Sequence, residues 1–389
     1  MKFYILDSEL ASSSKYVEPL SNLQSTIISD ISKIININNI KICQIEGVSA
    51  GAREEILRCL DEDYLDFLYD MSNHLFKVNG SPVSVDIFYE GKRTKDDLQN
   101  LNKIPLFKRL GYYSLDAKAL LSRFTYNAST FSYELVHSAL QDIIDSYHHM
   151  RFHVVGKKYN QNKIDCDEKR FCNLVSTISP GHQAGKRTCM GGCYINHAFI
   201  AATTWITRLP VKFDFHAKLK YQKEVEYTEF EPRVIILDLN PFWGRGTEEL
   251  VKDNNINNNI TYMSIHQKGG YPYFHSNNIN KGEEEDDGGH KITNVSVKKM
   301  TDENWMSAFV NRIHSRLKTM RDASTIRQNE DTLLIVTLGD NFVPSFNIAG
   351  RLLAEMEWNT LIIQEGQASY FKGYDFAVKP FIKGFMTAL

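Results

Sequence analysis

The chain has 389 residues, 42% of them hydrophobic and 12% aromatic, enough core for one large α/β domain or two smaller ones. A net charge of −2 and a pI near 6.6 provide no global basic field of the kind that nucleic acid or an anionic membrane attracts. No apolar run approaches the roughly 20 residues that span a bilayer, and Asp7 interrupts the apolar start "MKFYILDSELASSSK" too early for a secretion signal, so the sequence predicts a soluble, intracellular protein.

Taken in chain order, the basic run "GKRTK" (91–95) reads as solvated loop. "YHHMRFH" (147–153) puts His149 and His153 four apart on a helix face, with no flanking acid to complete a metal site. Six cysteines are too few for a disulfide framework in so long a chain. The spacing of Cys166, Cys172, Cys189 and Cys193 fits structural zinc poorly and predicts buried free thiols. Three stretches read as surface insertions: 211–232, alternating enough for a hairpin; the Asn-rich 252–260; and the acidic, glycine-ended 277–289.

Between these insertions lie near-continuous apolar strands, each followed by a helical pattern. They are "RVIILDL" (233–239), "TYMSIHQ" (261–267), "TLLIVTLG" (332–339) and "NTLIIQEG" (359–366). Strands apolar on both faces and alternating with helices predict a parallel sheet covered on both sides. Ligands bind at the carboxyl ends of such strands. The ends at 238–246, 265–275, 339–344 and 365–370 are therefore expected to converge on one pocket. There is no internal repeat.

"SPGHQAGKRTCMGGCYINHAFIAA" (179–202) resembles the zinc-dependent histone deacetylase and acetylpolyamine amidohydrolase family, which reads "PPGHHAG…GFCYxNNxAIAA" there. Further likenesses follow in the family's order: "EEILRCLDEDYLDFL" (54–68), "GYYSLDAKALLS" (111–122), "DLNPFWGRGTEEL" (238–250) to "DxDxHHGNGTQEI", "YMSIHQ" to "xxSLH", and "IIQEGQAS" to "LLxEGGYN". The resemblance spans about residues 54–385. It implies a three-layer α/β/α arginase/deacetylase-like fold with an eight-stranded parallel sheet over a single domain, 1–389.

By that resemblance the catalytic zinc of the family would be held by two aspartates and a histidine, an arrangement that leaves a position for water and the substrate carbonyl. Laid over this chain, the ligand positions are Asn240, Phe242 and Asp340. An Asn carbonyl suits zinc poorly and Phe has no lone pair, so no zinc is expected. The family's twin histidines become His182 and Gln183, and Gln183 cannot act as a base in a step worth roughly 10²–10⁴-fold. The oxyanion-stabilising Tyr, worth on the order of 10²–10³-fold, falls at Ala368, with Tyr370 two residues on. Gly192 replaces an aromatic wall, Arg245 stands between the turn glycines, and Tyr273 lies in the aromatic loop beside the tunnel.

What the resemblance leaves is Asp238, either bracing His182 or binding a structural potassium ion with Ser264 and the backbone carbonyls of Asn240, Phe242 and Ile265. His197 and His266 read as core histidines before ligands. Three functions follow. The first is a catalytically inactive deacetylase-like scaffold that binds protein partners or itself. The second is a metal-dependent amidohydrolase with relocated ligands, such as Asp340, His182 and His266. The third is a binder of acetylated ligands without turnover.

Overall fold

A strand that is apolar on both faces must be covered on both, and the chain builds that cover from helices threaded between its strands. The computed structural model describes residues 1–6, 28–29, 31–84, 101–156, 170–210, 230–253, 259–272, 292–339, 345–365 and 378–388. Eight strands form one sheet: β1 (Lys2–Leu6), β2 (Ile40–Cys43), β3 (Cys172–Ser176), β4 (Arg233–Asp238), β5 (Ile260–Gln267), β6 (Ile292–Val297), β7 (Thr332–Leu338) and β8 (Asn359–Gln364). Their order is β2-β1-β3-β8-β7-β4-β5-β6, and every neighbouring pair is parallel.

The four strands expected from apolar runs are β4, β5, β7 and β8. Every residue of β7 and β8 is buried. Alternation along a strand then sorts side chains between two cores. Val234 and Ile236 join Tyr4, Val175, Ile335 and Ile363 on one face, whereas Ile235 and Leu237 join Phe3, Leu174, Leu334 and Ile362 on the other.

The first face is covered by α1 (Ala50–Cys59), α4 (Thr125–Gly156), α5 (His197–Arg208) and α6 (Arg245–Asp253), with α2 (Glu62–Lys77) and α3 (Leu106–Tyr113) forming a smaller adjoining core. On the second face α7 (Asp302–Ala308) runs through a π-helical turn into α8 (Ser315–Ala323), which precedes the short α9 (Ile326–Glu330). With α10 (Phe346–Ala354) and α11 (Lys379–Thr387), these helices pack Trp305, Phe309, Phe346, Phe381 and Phe385 against the sheet. Each such buried side chain contributes about 2 kcal/mol of apolar transfer energy.

Helix starts follow local chemistry. Ser49 accepts from the Ala52 amide at α1, Asn196 from the Phe199 amide at α5, and Thr325 with Gln328 forms a capping box at α9.

Of the expected insertions, 277–289 and most of 211–232 and 252–260 lie outside the described residues. Lys252 and Asp253 close α6, and Ile260 opens β5, so the described ends of 252–260 belong to regular structure. Cys59, Cys172, Cys189 and Cys193 are buried free thiols and Cys43 is a half-buried one; Cys166 lies outside the described residues. Cys172 sits in a different core from Cys189, which separates the thiols that spacing alone could group. His148 is buried, its Nε2 donating to the Leu209 carbonyl at 3.0 Å, and the side chain of His153 is outside the description. No helix among the described residues is long and apolar enough to cross a membrane.

Candidate functional site

A cavity of about 570 Å³ opens at the carboxyl ends of the strands. The segment after β3 contributes Ile178, Ser179, Pro180, His182 and Gln183, and the Gly191–Tyr194 turn adds a wall. Asn240, Pro241 and Phe242 follow β4, Tyr271 follows β5, Gly339 follows β7, and Glu365 follows β8. All four strand ends expected to converge do so, each through at least one described residue.

Beneath the cavity lies a buried polar cluster centred on Asp238. Its Oδ2 accepts from His182 Nδ1 at 2.9 Å and from the Tyr262 hydroxyl at 3.1 Å. Its Oδ1 accepts from the Asn240 backbone amide at 3.0 Å, Asn240 Nδ2 at 2.7 Å and the Thr337 hydroxyl at 3.0 Å. Burial opposes ionisation of Asp238, but His182 and the Asn240 donors hold its pKa below the usual carboxylate range. Burial likewise opposes charge on His182, yet the Asp238 carboxylate outweighs it and lifts the imidazole to about 8. Such close packing requires Gly244 in the turn, where a Cβ would overlap Asp238 Oδ2 and crowd the Tyr262 hydroxyl.

Glu365 is the residue that sequence reasoning missed. It is buried at the end of β8; its Oε2 accepts from Asn240 Nδ2 at 3.3 Å, and burial lifts its pKa to about 7. The signal was present, because an acid placed directly after a fully apolar strand must point either into the core or into a site.

The described donors around the cavity do not fit a catalytic zinc ion. Asn240 directs its amide nitrogen at Asp238 and Glu365, with its oxygen packed against Gly339. Phe242 offers only a ring, 44% exposed and set edge-on to Tyr271 at 5.8 Å. Asp340 lies outside the described residues, as do Ala368, Tyr370 and Tyr273.

The potassium set fits no better as folded. Asp238 already accepts five hydrogen bonds, against about four lone-pair sites on a carboxylate. The Ser264 hydroxyl is engaged with Asn294 Oδ1 at 2.7 Å and His266 Nδ1 at 3.0 Å. Asn240, Phe242 and Ile265 would have to supply the ion's ligands from main-chain carbonyls.

Two expected site residues are not among those that line the cavity. Arg245 is not in the cavity wall: it is the first residue of α6, and the helix directs it to Glu249 one turn on, at 3.6 Å. His266 does not join His182 at the cavity. Its ring lies 6.5 Å from that of Trp243, and its Nδ1 faces Ser264. His197 is a core histidine as expected, with Nε2 donating to the Ser129 carbonyl at 3.3 Å and burial lowering its pKa to about 4. Gly192 does line the cavity, and no heavy atom lies within 4 Å of where its Cβ would be, so the wall is open there.

A model of the histone deacetylase domain matches residues 22–328, ending before β7 and β8. The Pseudomonas aeruginosa protein named acetylpolyamine amidohydrolase 1 is 27% identical over 226 residues, which cover 57% of this chain and 51% of that one. An uncharacterized protein of Synechocystis is 31% identical over 172 residues, 44% of this chain and 41% of the other. The chain thus spans about half the length, or less, of the curated relatives it matches. The crystal structure of an acetylpolyamine aminohydrolase from Burkholderia pseudomallei aligns with a TM-score of 0.61 at 16% identity, covering 93% of this chain and 90% of that one. At that identity the likeness is one of fold, and it is the arginase/deacetylase-like fold that the motifs implied.

Proposed function

The chain belongs to the histone deacetylase family, and on that premise we propose that it is a catalytically silent member acting as a structural or protein-interaction scaffold. One observation carries the reading. In the turn after β4, where the family would hold its metal, Phe242 has no donor atom and Asn240 has its amide tied to Asp238 and Glu365. Without that ion nothing polarises an amide carbonyl or lowers the pKa of a water molecule. Gln183, the neighbour of His182, has no basic nitrogen to move a proton. The hydrolysis that the Pseudomonas relative's name describes is the chemistry this turn is not equipped to perform. Exposed Phe76 and Val78 at the end of α2, with Phe107 on α3, offer a protein partner an apolar surface.

The test is metal content of the purified, unchelated protein, with zinc, iron and potassium counted per chain, alongside hydrolysis of acetyl-lysine peptides and acetylated amines. Transition metal well below one ion per chain and no hydrolysis are expected. One zinc per chain with turnover would overturn the proposal. A second reading, a ligand pocket without turnover, is favoured by the cavity itself, which stays open above a buried polar floor.

A further inference from the structure

A second cavity, of about 410 Å³, opens at the other end of the sheet, where β4 and β5 begin. Arg233, the first residue of β4, lines it with Glu231, with Gln328 on α9, and with the apolar Ile206, Phe230 and Pro232. Arg233 is half-buried, yet its hydrogen-bond partners are all neutral. Ser324 Oγ accepts from Nη1 and Nη2 at 2.9 Å each, and Gln328 Oε1 accepts from Nη2 at 2.6 Å. Its Nε has no hydrogen bond among the described residues, and burial does not seal it off.

Among the described residues neither Arg233 nor the exposed Glu231 forms an ion pair. The buried Asp331 carboxylate is engaged elsewhere, accepting from the Tyr147 hydroxyl at 2.6 Å and the Glu231 backbone amide at 2.7 Å. Burial lowers the Arg233 pKa and the Glu231 carboxylate raises it, so the two side chains sense each other's charge without pairing. A half-buried cation without a counter-charge is costly, and the cost favours a ligand that supplies one. A plain carboxylate would satisfy Arg233 but meet repulsion from Glu231, and a plain amine would meet the reverse. A zwitterion answers both charges, and a guanidinium binds carboxylate by charge-assisted hydrogen bonds. We propose that this cavity binds a free amino acid with an apolar side chain, its carboxylate on Arg233, its ammonium on Glu231, and its side chain against Ile206, Phe230 and Pro232. The site lies at the opposite end of the strands from the candidate functional site and does not depend on what that site does.

Calorimetric titration of the full chain with L-leucine, 4-methylpentanoate and 3-methylbutylamine tests it, because the second lacks the ammonium of leucine and the third its carboxylate. Leucine should bind one per chain, with each truncated ligand weaker by about tenfold or more. Glu231 is exposed and its contact with Asp331 is made by the backbone, so Glu231→Gln should fold and should bind leucine no more tightly than 4-methylpentanoate. Arg233→Gln should weaken leucine by about tenfold or more while circular dichroism stays unchanged. Equal affinity for leucine and either truncated ligand, no binding of leucine up to about 10 mM, or an undiminished preference for leucine in Glu231→Gln would overturn it. If Arg233→Gln fails to fold, the ligand ranking on the unmodified protein and on Glu231→Gln decides. Metal content and hydrolysis test the silent-enzyme reading separately, whatever the amino acid does.

Discussion

Glu365→Gln should raise the stability of the protein at alkaline pH and change it little in mild acid. Burial lifts the Glu365 carboxyl from its ordinary 4.5 to about 7, with His182 pulling it down and Asp238 pushing it up. The difference corresponds to about 3 kcal/mol of folding free energy at most. The folded chain holds this proton more tightly than the unfolded chain does. Its contribution to stability is therefore whole below about pH 4.5 and is lost as pH rises through about 7. Glutamine has nearly the same shape, stays neutral throughout and adds a donor to the floor, so it carries no such loss. Urea unfolding followed by tryptophan fluorescence at pH 5 and pH 8.5 reads the effect as a gap in midpoint between variant and parent. That gap should open at pH 8.5, in the variant's favour and by about 2 kcal/mol, and nearly close at pH 5. A variant less stable at pH 8.5, or a gap equal at both, would mean that Glu365 is ionised and partnered, and the burial argument would be wrong.

Three further substitutions probe the same site. Asn240→Asp replaces the nitrogen that donates to Asp238 at 2.7 Å with a third carboxylate between Asp238 and Glu365, an uncompensated buried charge costing about 3 kcal/mol or more. Thermal melts should show a loss that is larger at pH 8 than at pH 5, where the new acid takes up a proton; an equal loss at both would argue against charge as its cause. Gly191→Ala and Gly192→Ala both load a left-handed backbone, φ 59° and 82°, but only at Gly191 would the new Cβ overlap Gln183 Oε1. Each should cost about 1 kcal/mol for the backbone alone, and Gly191→Ala about 1–2 kcal/mol more, measured as a difference in unfolding midpoint. Equal losses would show that Gln183 swings away freely.

The central strands were legible because β4, β5, β7 and β8 are buried on both faces, and burial on both faces writes an unbroken apolar run. Edge strand β2 is half exposed and β1, β3 and β6 are not written as long unbroken apolar runs, so the count of eight came from the family motifs rather than from periodicity. Local chemistry also determined what the turn after β4 cannot do. Phe242 has no lone pair in any fold, and Gln183 is not a base in any environment.

What side chains become when distant segments meet was decided only in three dimensions. Arg245 reads as a neighbour of the site in sequence, but the start of α6 aims it at Glu249 and away from the cavity. Asp238 reads as a candidate cation ligand, yet Thr337 and Tyr262, brought in by β7 and β5, join His182 and Asn240 to fill its lone pairs. Glu365 reads as an ordinary acid, and it becomes a buried carboxyl facing Asn240, His182 and Asp238 because β8 ends among residues contributed by other strand ends. Residue type sets which atoms can donate or accept. Whether they are already spent depends on partners that lie up to 125 residues away, and those are set by the parallel register of the sheet.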